Sequence, residues 1–239
     1  MRTCTILLAA AAAVAAAAES YSDAKEAYER AVQSKETDVI AGAVGRLARA
    51  AAKARDDEKR EARLILGKHL SDRRRKVVVA AVSAYGDLRL EGSSRDLWFL
   101  VKSSRNRYAP HDLKLVAIEA YGRIHDAGAH VDLLEYIRVP SHLPERMDLA
   151  RAAARALASF KDADPRHRYR LLEDVMQAFD AIHNTIAVTA SSTNIRWFTG
   201  LEREMVASFN AIAKARAKDY DECREWWRDN RGAVKAGRR

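Results

Sequence analysis

Side chains that could take part in catalysis or metal binding occur in this sequence without the spacing that such chemistry needs. None of the seven histidines falls in an H-E-x-x-H motif, and His125 and His130 lie on either side of an expected turn. Nucleophile-elbow, dinucleotide-binding and P-loop motifs are also missing from the sequence. Asp162 and Asp164 precede Pro165 and are typical of an acidic turn that caps a helix. We therefore predict a protein that is not an enzyme and has neither a cofactor nor a metal.

Positive charge is the stronger chemical signal. The chain carries 42 Lys and Arg against 33 Asp and Glu, a formal net charge of +9. The candidate surface for an anionic partner consists of Arg73, Arg74, Arg75, Lys76, Lys102, Arg105 and Arg107. The candidate aromatic contacts are Trp98, Tyr136, Trp226 and Trp227. Basic residues interleaved with aromatics are typical of nucleic-acid grooves. The alternatives are solvated helix faces for the charges, and helix packing and end capping for the tryptophans.

The composition indicates which kind of fold must position these residues. Of the 239 residues, 48% are hydrophobic, which is typical of a globular protein. Only 10 Gly and 4 Pro occur, too few for the many turns of a sandwich, barrel or propeller. No window alternates polar and apolar residues with period two, so no strand is expected. The sequence predicts an all-α protein.

A repeat of 36 residues organises the body of the chain. Ala81, Ala84, Tyr85 and Gly86 recur 36 positions later, within residues 117–124. Residues 153–160 form a third copy, and weaker copies at 43–47 and 208–212 bring the expected number of units to about five. A Ser/Thr-rich stretch at 184–194 lengthens the last interval and is predicted to be a loop.

Each unit is predicted to be a pair of helices. In the second unit, apolar spacing of three and four places a first helix at 73–90, and Ser94 is the expected N-cap of a second helix at 96–102. In the third unit, the second helix is expected at 131–139. Because one helix pair buries too little apolar surface to fold alone, neighbouring pairs must stack. Residues 36–230 are therefore expected to form one domain, with a leading helix in 19–35 and a basic flexible tail at 231–239.

These repeats resemble the HEAT family. The matching pieces are Arg74 with 78–86, Lys114 with 116–122, and Arg151 with 153–158. The end of the chain, residues 223–230, is similar to the tryptophan-rich ends of exported bacterial HEAT-repeat proteins. The resemblance implies a right-handed α-solenoid of about five helix pairs used for macromolecular interaction. Its inner surface would consist of the second helices, at 96–102, 131–138 and 168–179.

The N-terminus is predicted to be a signal peptide. Arg2 is followed by an uncharged, Ala-rich run that ends at Ala18, and Ala16 and Ala18 fit a cleavage site before Glu19. Removal of residues 1–18 would send the mature chain to the periplasm or the medium. No later stretch is apolar enough to span a bilayer. Cys223 would then be the only cysteine, typical of a buried apolar contact.

Two functions remain open from the sequence. The first is an exported, non-catalytic scaffold that binds a protein partner, or an anionic component of the cell envelope. The second is a cytosolic HEAT-like nucleic-acid-binding protein or DNA glycosylase that uses the basic surface. Export would separate the protein from genomic DNA, so the two hypotheses differ in cellular address as well as in partner.

Overall fold

The computed structural model describes residues 19–102, 109–126, 128–138, 144–189 and 192–238. Over these residues the chain forms eleven α-helices and one 3-10 turn, without a β-strand, which confirms the all-α prediction. The helices are α1 (Tyr21–Ser34), α2 (Thr37–Ala51), α3 (Asp56–His69), α4 (Arg75–Leu88), α5 (Ser94–Val101), α6 (His111–Ile124), α7 (Ala129–Arg138), α8 (Pro144–Leu157), α9 (Pro165–Val188), α10 (Ser192–Ala213) and α11 (Tyr220–Lys235). The 3-10 turn spans Ala158–Asp162. None of the described helices is both long and apolar enough to cross a bilayer. The predicted signal peptide lies outside the described residues.

From α2 onward the helices alternate between two rows. In the first row, α2, α4, α6, α8 and α10 pack side by side in chain order. In the second row, α3, α5, α7 and α9 each pack against the next helix of the first row, and α11 packs on α9 and α10. The leading helix α1 covers α2. The 36-residue repeat thus corresponds to one helix from each row, and the fold is all-helical and repeat-like.

The glycine of the recurring A-Y-G motif permits close contact within the first row. A Cβ atom added to Gly122 would lie 2.7 Å from the Cβ of Ala156 on α8. A Cβ atom added to Gly86 would lie 2.9 Å from the Cα of Ala120 on α6. These distances are shorter than carbon atoms tolerate, so a side chain at either position would force the helices apart. The buried Tyr85 of the same motif fills the space beneath α3.

Helix starts follow the sequence signals in one case and depart from them in another. Asp164 caps α9 as predicted, since its carboxylate accepts from the N–H of Arg166 at 2.8 Å and Pro165 occupies the first turn. The prediction that Ser94 caps a helix from 96 is wrong, because α5 begins at Ser94 itself. The N–H of Ser94 is bound by Asp126, from the turn between α6 and α7.

Within the predicted loop at 184–194, residues 184–188 and 192–194 are helical, and residues 190 and 191 lie outside the described residues. α9 continues to Val188, and α10 begins at Ser192. The polar side chains do not interrupt α9, because the hydroxyls of Thr185 and Thr189 donate to backbone carbonyls one turn earlier, at 2.7 and 2.6 Å. Ile182 is fully buried and extends the apolar face of α9 into this stretch.

Other boundaries move by a few residues. α4 covers Arg75–Leu88 rather than 73–90, and α7 begins at Ala129 rather than at residue 131. The predicted end of α7 at residue 139 lies outside the described residues. At the C-terminus, α11 extends to Lys235, so residues 231–235 of the expected flexible tail are helical. The buried Val234 holds that last turn against the rest of the protein.

Candidate functional site

The basic cluster at 73–76 lies at the start of α4, where its charges meet aspartates. Arg74 donates from Nε and Nη2 to the carboxylate of Asp72, at 3.0 and 2.7 Å. These hydrogen bonds hold the pKa of Asp72 well below its usual range. Arg73 is exposed and forms no ion pair with any described residue.

The other two members of this cluster pair with neighbouring helices of the first row. Arg75 pairs with Asp112 on α6, and the Nζ atom of Lys76 lies 2.8 Å from Oδ1 of Asp38 on α2. Both pairs are exposed, so each contributes little to stability. Their main consequence is electrostatic, since the positive charge of the cluster is largely balanced by aspartates from α2 and α6.

Of the second predicted basic group, which consists of Lys102, Arg105 and Arg107, only Lys102 lies within the described residues. The Nζ atom of Lys102 lies 2.5 Å from Oδ1 of Asp132 and 2.9 Å from Oε1 of Glu135, both on α7. These carboxylates raise the pKa of Lys102. Arg105 and Arg107 lie outside the described residues. The structure therefore does not assemble the seven basic candidates into one described patch.

The four candidate aromatic residues belong to two separate regions. Trp98 on α5 and Tyr136 on α7 are half-buried, and the Tyr136 hydroxyl donates to the carbonyl of Val101. Trp226 and Trp227 lie on α11, at the far end of the second row.

The two adjacent tryptophans contact different helices. Trp227 is buried and packs against Tyr169 of α9, with ring centroids 5.6 Å apart. Trp226 is half-buried and meets Phe209 of α10 edge-on, at 5.5 Å. Together they fasten α11 to both neighbouring helices.

Ion pairs join neighbouring helices of the second row and fasten its two ends. They involve Lys25 with Glu61 at 2.6 Å, Arg63 with Asp96 at 2.6 Å, Arg138 with Asp174 at 3.4 Å, and Arg231 with Glu173 at 2.5 Å. Most partners lie 33 to 36 residues apart, close to one repeat. The charged side chains of this row thus form ion pairs mainly with residues of other helices.

A groove opens in the second row between α3 and α5, with a volume of about 650 Å³. These helices make little direct contact, and the bidentate pair of Arg63 and Asp96 bridges them at 2.6 and 3.0 Å. Tyr85 lines the groove and donates its hydroxyl to the carbonyl of Arg63 at 3.2 Å. Leu64 and Phe99 line it from α3 and α5, and they are 71% and 44% exposed. Exposed apolar side chains on both walls are typical of a contact surface.

Basic side chains flank this apolar pair. Arg60 and Lys68 lie one turn before and one turn after Leu64 on α3, and Arg95 lies one turn before Phe99 on α5. All three are exposed, and none forms an ion pair with a described residue. We refer to Arg60, Leu64, Lys68, Arg95 and Phe99 as the α3–α5 groove surface. It combines an apolar centre with a positive rim.

One wall of this surface lies within a range that the sequence predicts for the inner surface, and the other wall does not. The range 96–102, expected on the inner surface, contains Phe99, but Trp98 was the candidate contact in that range. Leu64 was not singled out, although a leucine between Arg60 and Lys68 at spacing four stands on an otherwise charged helix face. That break in the pattern was the available signal.

Metal and thiol chemistry receive no support from the described residues. No group of three His, Cys, Asp or Glu side chains in this part of the chain is arranged to hold a metal ion. Cys223 is buried, and burial raises the pKa of its thiol to about 12. A thiol protonated at neutral pH is a weak nucleophile, so Cys223 serves as an apolar contact.

Comparison with known proteins identifies no family. No protein-family model matches the sequence, and no curated protein matches it. Among solved structures, the chain is similar to an engineered protein whose crystal structure was determined by the Northeast Structural Genomics Consortium. The TM-score is 0.46 and the sequence identity is 14%, over 90% of this chain and 97% of that chain. A likeness at this level carries no argument about function.

Proposed function

We propose that the protein is a non-catalytic scaffold of the HEAT type, built as a right-handed α-solenoid, that binds a partner protein on the α3–α5 groove surface. The partner segment is an amphipathic helix with leucine or phenylalanine on one face and carboxylates beside them. Helix-in-groove recognition of this kind uses apolar anchors spaced three or four residues apart.

The repeat supports the scaffold part of this proposal. Five first-row helices pack in chain order, with a second-row helix after each of them. The A-Y-G glycines lie at close contacts between first-row helices, Gly86 against α6 and Gly122 against α8. Such an arrangement presents successive helices along one face, which suits an extended partner.

The observation that carries the choice of partner is the pairing of Leu64 and Phe99 across the groove, with unpaired arginines next to each. Burying these two side chains under a partner removes apolar surface from water. Carboxylates of the same partner would pair with Arg60 and Arg95, whose charges the described residues leave unmatched. Asp96, the one carboxylate lining the groove, is held by Arg63.

We also propose that the protein is located outside the cytoplasm. The charged start, Ala-rich run and small residues before Glu19 support cleavage near Ala18 and release into the periplasm or the medium. The partner is then a protein of the cell envelope or the surroundings.

Fluorescence anisotropy with a defined peptide tests the groove. The probe is a fluorescein-labelled 16-residue helix with leucines at positions i, i+4 and i+7 and glutamates beside them. We expect a dissociation constant on the order of 10 μM. Either Leu64→Asn or Phe99→Asn should weaken binding about tenfold, since apolar anchors carry most of the affinity.

Val188→Asn is the matched control, because Val188 is 83% exposed on α9 and lies outside the groove. It should bind the peptide as the wild type does. Equal affinity of the wild type and both groove variants would refute the proposal. Arg60→Gln and Arg95→Gln should weaken binding and reduce its dependence on salt.

A single-stranded oligonucleotide of the same charge serves as the competing probe. If it binds more tightly than the peptide, with a steep fall as salt rises, the nucleic-acid function replaces the scaffold. The pairing of Arg74, Arg75 and Lys76 with aspartates favours the opposite result.

A further inference from the structure

The α3–α5 groove contains an ion pair in addition to its apolar centre and positive rim. Arg63 on α3 and Asp96 on α5 both line the groove. The guanidinium donates from Nε and Nη2 to the two carboxylate oxygens, at 2.6 and 3.0 Å. The two side chains are 32% and 29% exposed, so both charges remain within reach of a bound partner. The pair thus places one positive and one negative charge inside the groove.

Tyr85 on α4 fixes the position of this pair from beneath. Its hydroxyl donates to the backbone carbonyl of Arg63 at 3.2 Å. Burial raises the pKa of Tyr85, so the hydroxyl stays a neutral donor at physiological pH. The hydrogen bonds to Asp96 raise the pKa of Arg63. The guanidinium therefore keeps both its charge and its position in the groove.

The state of this pair decides the net charge that a partner meets. Arg60, Lys68 and Arg95 at the rim are exposed cations, and the pair adds no net charge to them. Without Arg63, the carboxylate of Asp96 would be an unmatched negative charge among these cations. Without Asp96, the guanidinium would be one more unmatched positive charge. A charge acts over about 8 Å at physiological salt, so a partner docked in the groove would respond to either change.

We propose that the pair of Arg63 and Asp96 determines the charge selectivity of the groove. Asp96 is the one carboxylate among the described residues that line it, and Arg63 matches that charge. The groove can therefore accept a helix that carries carboxylates. This inference rests on the proposed function, because it concerns the same acidic partner helix. Arg63 and Asp96 select the charge of the partner, whereas Leu64 and Phe99 provide the apolar contact.

Fluorescence anisotropy with the labelled acidic peptide tests this role through the sign of two effects. Arg63→Gln leaves the carboxylate of Asp96 unmatched, so it should weaken binding about threefold by repelling the glutamates. Asp96→Asn leaves the guanidinium of Arg63 unmatched and should strengthen binding about threefold. Both variants lose the same ion pair, so a purely structural role would weaken binding in both. Changes in the same direction, or no change in either variant, would overturn the proposal.

Peptides of other charge provide a second readout. With lysines in place of the glutamates, the two effects should reverse, so that Arg63→Gln binds more tightly than the wild type and Asp96→Asn more weakly. With glutamines in place of the glutamates, both variants should bind as the wild type does. Equal weakening of the glutamine peptide in both variants would show that the pair only maintains the shape of the groove, which would contradict the proposal.

Arg231→Gln and Glu173→Gln are the matched controls. They neutralise the two members of an ion pair between α11 and α9, at 2.5 Å, and neither residue lines the groove. Both should bind the acidic peptide as the wild type does. Arg63→Gln combined with Asp96→Asn leaves the net charge of the groove unchanged and should restore wild-type affinity. A double variant as weak as Arg63→Gln alone would contradict an effect of charge.

Arg63→Lys keeps the test informative if loss of the pair unfolds the protein, which circular dichroism detects. Lysine retains the positive charge but not the bidentate geometry. This variant should keep the preference for the acidic peptide over the lysine peptide, and loss of that preference would contradict the proposal. If the wild type binds none of the three peptides, the proposed function and this inference both fail. If the wild type binds but the variants keep its preference unchanged, this inference alone fails.

Discussion

The carboxylate of Asp126, in the turn between α6 and α7, binds the backbone N–H of Ser94 at the start of α5, with a distance of 3.0 Å from N to Oδ2. Its other oxygen accepts from the N–H of Gly92 at 2.8 Å. One carboxylate thus satisfies two donors at the N-terminus of a helix in the preceding unit, where the helix dipole also favours negative charge. The contact links consecutive helix pairs at their turns.

Loss of this contact should destabilise the protein. Asp126→Ala leaves two N–H groups near Ser94 without an acceptor, and we expect the free energy of unfolding to fall by about 1–3 kcal/mol. Urea denaturation followed by circular dichroism measures it. The control is Asp162→Ala, 36 residues later, which is exposed and caps no helix. Equal effects of the two variants would show that the Asp126 contact contributes nothing specific.

Glycine-to-alanine substitutions should have opposite signs at two helical positions. Gly122→Ala places a methyl group 2.7 Å from the Cβ of Ala156 and 2.8 Å from its carbonyl oxygen, so we expect a loss of about 1–3 kcal/mol. Gly42→Ala lies inside α2, where the added methyl group would meet no atom within 4 Å beyond the helix's own backbone, and it should stabilise the protein by up to about 1 kcal/mol. Thermal unfolding of the two variants checks the sign. A stabilising Gly122→Ala would disprove the close helix contact.

Stability should decrease as the pH falls below the ordinary pKa of histidine, about 6.5. Burial lowers the pKa of His130, and although Asp174 opposes this shift, Arg170 and His167 add to it. Burial and Arg89 lower the pKa of His125, against Asp162. The unfolded chain therefore binds more protons than the folded one in this range, and protonation favours unfolding.

The measurement is the free energy of unfolding at pH 7 and pH 5, with NMR titration of the His130 ring alongside it. His130→Gln removes one of the two histidines whose pKa is lowered by folding. It should therefore reduce the loss of unfolding free energy between pH 7 and pH 5. A variant with a loss as large as that of the wild type would show that His130 does not contribute.

The intact mass of the protein, measured in cytoplasmic, periplasmic and membrane fractions, tests the predicted export. We expect the periplasm or the medium to contain a chain that begins at or near Glu19. Such a cut keeps Ser20, whose hydroxyl accepts from the N–H of Asp23 at the start of α1. An uncut chain in the cytoplasm would contradict export and favour the nucleic-acid function.

The sequence by itself determined the features that depend on neighbours along the chain. Apolar spacing indicated helices in pairs, the recurrence of Ala84, Tyr85 and Gly86 set the 36-residue repeat, and Asp164 with Pro165 marked the start of α9. These signals are local, because helix periodicity and capping involve residues within about one turn of each other. The threonines after Asn184 led to the wrong prediction of a loop. A Ser/Thr-rich composition is typical of loops, but the same hydroxyls can also donate to backbone carbonyls inside a helix, as Thr185 does.

Only the tertiary structure decided which charges and apolar groups meet. Leu64 and Phe99 line one groove although 35 positions separate them. The positive charge of Arg75 is paired with the carboxylate of Asp112. The cap on Ser94 comes from Asp126 in the next unit, and His130 meets Asp174 two helices later. Such pairs lie about one repeat apart and become neighbours only when helix pairs stack. The spacing of the repeat predicts that stacking, but the angles and offsets that select each contact come from the packing of whole helices.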